Sequence, residues 1–186
     1  SIFIAINPES KIMKAYFYKK YGDTNVIERG EMPKPKISPG KVIVKVKAIA
    51  LNPLDYRIRR GEMIPFPIGF PRRIGSDFSG EVIETAKNVS SLKKGDKVFG
   101  MTFQINNGSS GEFISVSENA LAIAPENITL EEAAALPLAA QTSLQALRDL
   151  AKLKSGQKLV INGASGGHWR FRSSNCKNTR GKYYWN

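Results

Sequence analysis

The run Asn162-Gly163-Ala164-Ser165-Gly166-Gly167 is the part of this 186-residue sequence best suited to chemistry. It directly follows Lys158–Asn162 (KLVIN), an apolar stretch that reads as a buried strand. A glycine-rich turn leaving such a strand lets the backbone come close to a pyrophosphate. The N-terminus of a helix after it supplies unpaired N–H groups and the positive end of a dipole. The same glycines also suit a plain turn, and the local pattern leaves both readings open. Counts close other chemistries. With one cysteine (Cys176) and one histidine (His168), the sequence holds neither a multi-Cys or multi-His metal centre nor an internal disulfide framework.

The elements that must position this loop change character along the chain. Lys14–Tyr18 is aromatic-rich and strand-like. Lys41–Leu51 (KVIVKVKAIAL) alternates with a period of two, Val42, Val44, Val46 and Ala48 opposing Lys41, Ile43, Lys45 and Lys47. Pro33, Pro35, Pro39 and Gly40 form a turn before it. Gly80–Thr85, Asp96–Phe99, Glu112–Val116 and Ala120–Ile123 add short strands, and Gly75, Asp77 and Gly80 read as a structural turn. This spacing predicts a compact antiparallel β domain. Thr129 followed by Glu132 then matches a capping box, which opens a helix over Leu130–Leu136 that Pro137 ends. A longer helix is expected over Ala139–Lys152, with Leu144, Leu147 and Ala151 on one side. Helix, strand and glycine loop in this order start a parallel α/β domain.

Composition bounds the rest. Hydrophobic residues at 41% and charged residues at 24% are ordinary for a globular chain and exclude a fibrous or low-complexity one. No run of 18 apolar residues exists, so no membrane-spanning helix and no membrane partner are expected. The net charge of +12 raises the question of nucleic acid. Five basic residues (Arg170, Arg172, Lys177, Arg180, Lys182) and no acidic one fall within residues 168–186; the other basic residues are scattered among acids. The scattered pattern reads as a solvated surface, and no nucleic-acid partner is expected. A lone cysteine suits a reducing compartment, read here as the cytoplasm. Residues 1–12 (SIFIAINPESKI) lack the basic region and cleavage site of a secretory leader and read as an upstream extension.

The segments MKAYFYKKYG, ALNPLDYRIRRG, IGSDFSGEV, LKKGDKVFG, ALAIAPENITLEEAAALPLAAQTSLQAL and LVINGASGG together resemble the medium-chain dehydrogenase/reductase superfamily, in its zinc-independent quinone oxidoreductase-like branch. The resemblance runs from Met13 to Gly167. It implies a mixed α/β fold: a GroES-like β-barrel catalytic domain over residues 13–127, then the start of a Rossmann nucleotide-binding domain over 128–167. It also implies hydride transfer from NADPH to a quinone or an α,β-unsaturated carbonyl, and a homodimer in intact relatives. Zinc-dependent members place ligands where this chain has Asn52, Ser76 and about Leu138, none of which suits a Cys/His site, so no metal is expected. The resemblance puts Asn52 and Tyr56, in NPLDY, at the reacting carbonyl. It puts Thr142, in AAQTSLQAL, at the nicotinamide, and Gly163, Ala164, Ser165, Gly166 and Gly167 at the cofactor's phosphates. Asp55 is expected to hold local structure.

Residues 168–186 break this pattern. The only His, the only Cys and both Trp lie there, with no apolar periodicity and no acid. Read one base out of frame, Trp169 before Arg170 and Trp185 before Asn186 must each become Gly. With synonymous codons chosen elsewhere, the stretch becomes IGDFAVQIAKIRGANITG, the next turn, helix and strand of the family. A frameshift before His168 is therefore expected, which makes 168–186 an aberrant basic tail and the chain an inactive, C-terminally truncated fragment. In the printed frame the tail is expected to offer neither a helix nor a parallel strand to Lys158–Asn162. The alternative function is a non-enzymatic GroES-like barrel fragment that binds no nucleotide.

Overall fold

The computed structural model describes residues 11–63, 69–102, 108–154, 157–161 and 182–185. The chain divides into two compact units, Ser1–Ala134 and Ala135–Asn186. The first is a β domain built around one long strand. β1 (Ile12–Tyr18) pairs antiparallel with β2 (Ile27–Pro33) on one side and with the short β4 (Arg72–Arg73) on the other. β3 (Lys41–Ala50) lies second in a five-stranded antiparallel sheet that also holds β5 (Asp77–Thr85), β6 (Lys97–Met101), β7 (Phe113–Ser117) and β8 (Leu121–Ile123), in the order β7-β3-β5-β6-β8. A bridge from Ala15 to Gly111 ties the two sheets.

The period-two pattern of β3 buries both faces. Val42 and Val44 join Phe78, Val82, Val98, Ile114 and Val116 in the main core. Ile43, grouped above with the lysines, instead packs on the opposite face with Met13, Ala15, Phe17, Met32 and Phe113. The reason is topological: the β1–β2 layer covers the second face, so the one apolar residue there is enclosed. Each such side chain contributes about 1.5–3 kcal/mol by leaving water. The β3–β5 ladder has two irregularities, between Ile43 and Val44 and between Val46 and Ala48. At the first, Ile83 is the extra residue on β5; at the second, Lys47 is the extra residue on β3.

Gly75, Asp77 and Gly80 do not form one turn. Gly75 has a turn conformation with φ +80, but Asp77 and Gly80 lie within β5, paired with Ala50 and Val46. Gly80 is needed for close approach: a β-carbon there would strike the Lys45 carbonyl oxygen. Arg73, 3% exposed, donates from Nη1 to the Phe113 carbonyl at 2.8 Å, and burial pulls its guanidinium down to about 10.

Two α-helices among the described residues complete the first unit. α1 (Pro53–Arg59) opens with Pro53, whose fixed φ suits a first helical turn, and carries Asp55 at its positive end and Arg57 and Arg59 at its negative end. α2 (Leu130–Ala133) forms behind the expected capping box: the Glu132 N–H donates to Thr129 Oγ1 at 3.2 Å, and the Thr129 N–H donates to Glu132 Oε2 at 2.8 Å. It is shorter than Leu130–Leu136, because α3 (Pro137–Gln145) starts a separate helix at Pro137 in the second unit. The expected helix over Ala139–Lys152 also ends early. It widens into a π turn over Ala146–Leu150, where the Ala151 N–H donates to the Ala146 carbonyl at 3.0 Å. Leu147 is buried there, while Leu144 and Ala151 are exposed, so the expected apolar stripe reduces to one residue.

β9 (Lys158–Ile161) pairs in parallel with β10 (Lys182–Trp185), from Lys182 opposite Lys158 to Trp185 opposite Ile161. The expectation that the printed tail offers no parallel neighbour is thereby corrected. Tyr183, Tyr184 and Trp185 are residue types that favour extended backbone. No helix among the described residues is long and apolar enough to cross a membrane.

Candidate functional site

The strand ends of the first unit gather a buried polar cluster. β3 finishes at Ala50, opposite Asp77 at the start of β5. Two residues further on, Asn52 takes an extended conformation (φ −118, ψ 160) and caps α1. This register sets the Asn52 amide beside the Asp77 carboxylate, and Asn52 Nδ2 donates to Asp77 Oδ2 at 3.0 Å. Asp77 is fully buried and hydrogen-bonded along its backbone between β3 and β6; its carbonyl accepts from Ser109 Oγ at 3.2 Å.

Asp55 forms the second half of the cluster. Its Oδ2 accepts the Asn52 backbone N–H at 2.6 Å, and its Oδ1 accepts the Ser76 hydroxyl at 2.7 Å. Asp55 is 5% exposed and Ser76 fully buried. The carboxylate thus joins the N-terminus of α1 to the residue before β5. Such charge-assisted bonds are shorter and stronger than neutral ones, so the Asn52 backbone is fixed through Asp55 and its side chain through Asp77. Gly75 makes the adjoining turn feasible; a side chain there would meet Ser109 Oγ at 2.6 Å as well as adopt a left-handed conformation.

Tyr56 is placed differently. It lies on α1, 45% exposed, and the Arg60 guanidinium sits 5.5 Å from its ring centre, one helical turn on. Its hydroxyl takes no part in the Asn52–Asp55–Ser76–Asp77 cluster. In the second unit Thr142 is exposed on α3, while Ser143 beside it is buried and donates to the Ala139 carbonyl at 2.8 Å. Gly163, Ala164, Ser165, Gly166 and Gly167 lie outside the described residues. The strand that leads to them, β9, is present in a parallel pair.

The sequence reading singled out Asn52 and gave Asp55 a structural role, but it missed Asp77 and Ser76 as partners. Their signal is a register, 25 residues apart for Asn52 and Asp77, and period-two patterning does not encode it. The cluster can hold one side-chain amide in a fixed orientation at the mouth of α1. It offers no imidazole or thiolate, and among the described residues no three His, Cys, Asp or Glu side chains converge as metal ligands.

Comparison with known proteins fits this architecture. The chain is 37% identical over 164 residues to the chloroplast envelope quinone oxidoreductase homolog of Arabidopsis thaliana, which covers 84% of this chain and 50% of that protein. It is 34% identical over 163 residues to the chloroplastic NADPH-dependent alkenal/one oxidoreductase of the same plant, covering 84% of this chain and 42% of that one. The solved structure of the quinone oxidoreductase from Coxiella burnetii superposes with a TM-score of 0.81 at 30% identity, over 94% of this chain and 56% of the other. The chain thus spans about half the length of the relatives it matches. Residues 38–134, more than half of the chain, match the alcohol dehydrogenase GroES-like domain, and the chain belongs to that family, within the medium-chain dehydrogenase/reductase superfamily.

Proposed function

We propose that the native gene product transfers a hydride from NADPH to a quinone or an α,β-unsaturated carbonyl without zinc. The observation that carries this reading is the Asn52 amide, held by Asp77 at the mouth of α1. An amide nitrogen has two hydrogens; Asp77 takes one, and the other serves a substrate oxygen. As the substrate accepts a hydride, electron density moves to that oxygen, and a fixed donor there is worth more in the transition state than in the ground state. Tyr56, exposed on the same helix, supplies a second donor. The metal-free reading is supported by residue chemistry: at the positions where the resembled family places zinc ligands stand an amide and a hydroxyl, already donated to Asp77 and Asp55.

The second unit supplies cofactor contacts in this reading. NADPH, when bound, provides the hydride. The exposed Thr142 hydroxyl fits a hydrogen bond to the nicotinamide end, and the segment Gly163–Gly167 receives the pyrophosphate through backbone N–H groups. The relative named as an NADPH-dependent alkenal/one oxidoreductase supports both the cofactor and the enone class. A homodimer and a cytoplasmic location complete the proposal, without nucleic-acid or membrane partners.

In the same proposal the catalytic domain occupies residues 13–127 and the nucleotide-binding domain starts at 128, while residues 168–186 are out-of-frame coding. Sequencing the gene across the codons for Gly166–Trp169 tests the frame. NADPH added to the printed chain should show no saturable binding at micromolar concentration; saturable binding would overturn the frame reading. For the native gene product, turnover is followed as loss of NADPH absorbance with quinones and enones. Asn52→Ala and Thr142→Val should each lower kcat/KM about ten- to hundredfold, roughly 1.5–3 kcal/mol, and by more than they lower stability. Unchanged kinetics in both variants, or stoichiometric zinc with activity lost to a chelator, would refute the proposal.

A further inference from the structure

We infer that Asp77 is a positioning residue for this reaction: its buried carboxylate selects which end of the Asn52 amide faces the substrate. The inference rests on the function proposed above and adds a residue to it. A side-chain amide can rotate by half a turn and exchange its oxygen for its nitrogen at little cost in volume. Facing a substrate carbonyl, the two states have opposite effects: the nitrogen donates and stabilises developing negative charge, whereas the oxygen repels it. An ionised carboxylate only accepts. With Asp77 Oδ2 at 3.0 Å from Asn52 Nδ2, the amide nitrogen faces Asp77, and its second hydrogen lies on the same nitrogen. The orientation that satisfies Asp77 is the one that leaves a donor for substrate.

The carboxylate is itself well fixed. Asp77 begins β5 between β3 and β6, with Ala50 on one side and Met101 on the other. The Ser109 hydroxyl holds its carbonyl. Asp55 anchors the Asn52 backbone independently, at 2.6 Å. Asp77 restrains rotation of the amide from its nitrogen end, beside the capping-box contact of the Asn52 side chain with the Asp55 backbone. Asp55 fixes where Asn52 stands; Asp77 fixes which way it points.

The test is a double-mutant cycle in the native gene product. Asp77→Asn keeps the shape but can donate or accept, so it no longer selects one amide orientation. Alone it should lower kcat about tenfold and leave KM for NADPH within about twofold, since misaimed catalytic groups lose rate more than binding. In an Asn52→Ala background the same change should alter kcat by less than about twofold, because there is no amide left to orient. An equal loss in both backgrounds would be the mark of a general structural role and would overturn the inference while the function stands. Absence of any NADPH-dependent turnover in the parent would overturn the function and the inference with it. If Asp77→Asn does not fold, the side-chain amide of Asn52 decides in the printed chain, by NMR with Asn52→Ala as the assignment control. One strongly downfield amide proton supports the carboxylate contact, and its absence overturns it.

Discussion

Ser76→Ala removes one hydroxyl from the centre of the polar cluster, and its cost follows from the geometry. The Ser76 hydroxyl donates to Asp55 Oδ1 at 2.7 Å, both residues being almost fully enclosed. The bond is charge-assisted, and alanine leaves the buried carboxylate one donor short. Hydrogen bonds to charged groups contribute about 1.5–3 kcal/mol, and burial puts this one in the upper half of that range, about 2–3 kcal/mol. Urea unfolding measures it. With a slope of about 1–3 kcal/mol per molar, the midpoint should fall by roughly 1 M at an unchanged slope. Both tryptophans lie in residues 168–186, so far-UV circular dichroism is the signal that follows the β domain. Asp55→Asn supplies the control: the two changes should be strongly non-additive, because each breaks the same bond. A midpoint shift under about 0.2 M, or simple additivity with Asp55→Asn, would refute the reasoning.

Three other outcomes follow from the fold. Burial pushes the Tyr18 phenol up to about 12 from 10.0, so the folded state keeps a proton that the unfolded chain loses; stability should be intact below pH 10 and fall by up to about 2–3 kcal/mol between pH 10 and 12. Tyr18→Phe should flatten that difference in denaturation curves compared at each pH, and an unchanged alkaline slope would count against it. Gly80→Ala, which drives a β-carbon into the Lys45 carbonyl oxygen, should cost at least about 1–3 kcal/mol in urea unfolding; a neutral result would show that β3 and β5 can separate there without penalty. Thr129→Ala removes the side-chain acceptor of the α2 capping box and should lower stability by about 0.5–2 kcal/mol, read as a drop in Tm, with Thr129→Ser restoring most of it.

Much of the β domain is legible in the sequence because its strands obey a simple period. The alternation in Lys41–Leu51 locates the long strand β3, and the Thr129–Glu132 spacing locates a helix start, since both signals are local. β2 escapes because IERGEMP is an edge strand with little buried surface, held by its ladder to β1 and not by an apolar face. β4 escapes because it is two arginines. Gly80 misleads: glycine in a sequence suggests a turn, but here it marks where another strand passes too close for a side chain. Asn52 is legible through family resemblance alone, and its partner Asp77 is legible only after β3 and β5 are laid side by side. The π turn after Gln145 has no pattern to announce it; the apolar spacing expected of a regular helix conceals it.

The two irregularities in the β3–β5 ladder have a bearing on which changes of chain length this domain can accept. Ile83 is surplus on β5 and Lys47 on β3, so the two displacements cancel and Ala50 meets Asp77 in the same alignment with which Val42 meets Thr85. Losing Lys47 or Ile83 would straighten a bend in the sheet and leave Asn52 beside Asp77. Losing Ile49 instead would advance Ala50, Leu51 and Asn52 by one step, and in a pleated strand one step is a change of side. Homologous chains that differ in length along these strands should therefore gain or lose residues at the two surplus positions and spare the segment from Ala48 to Asn52. The sheet carries two places where evolutionary insertion and deletion leave the amide in register, one before Asn52 on β3 and one after Asp77 on β5.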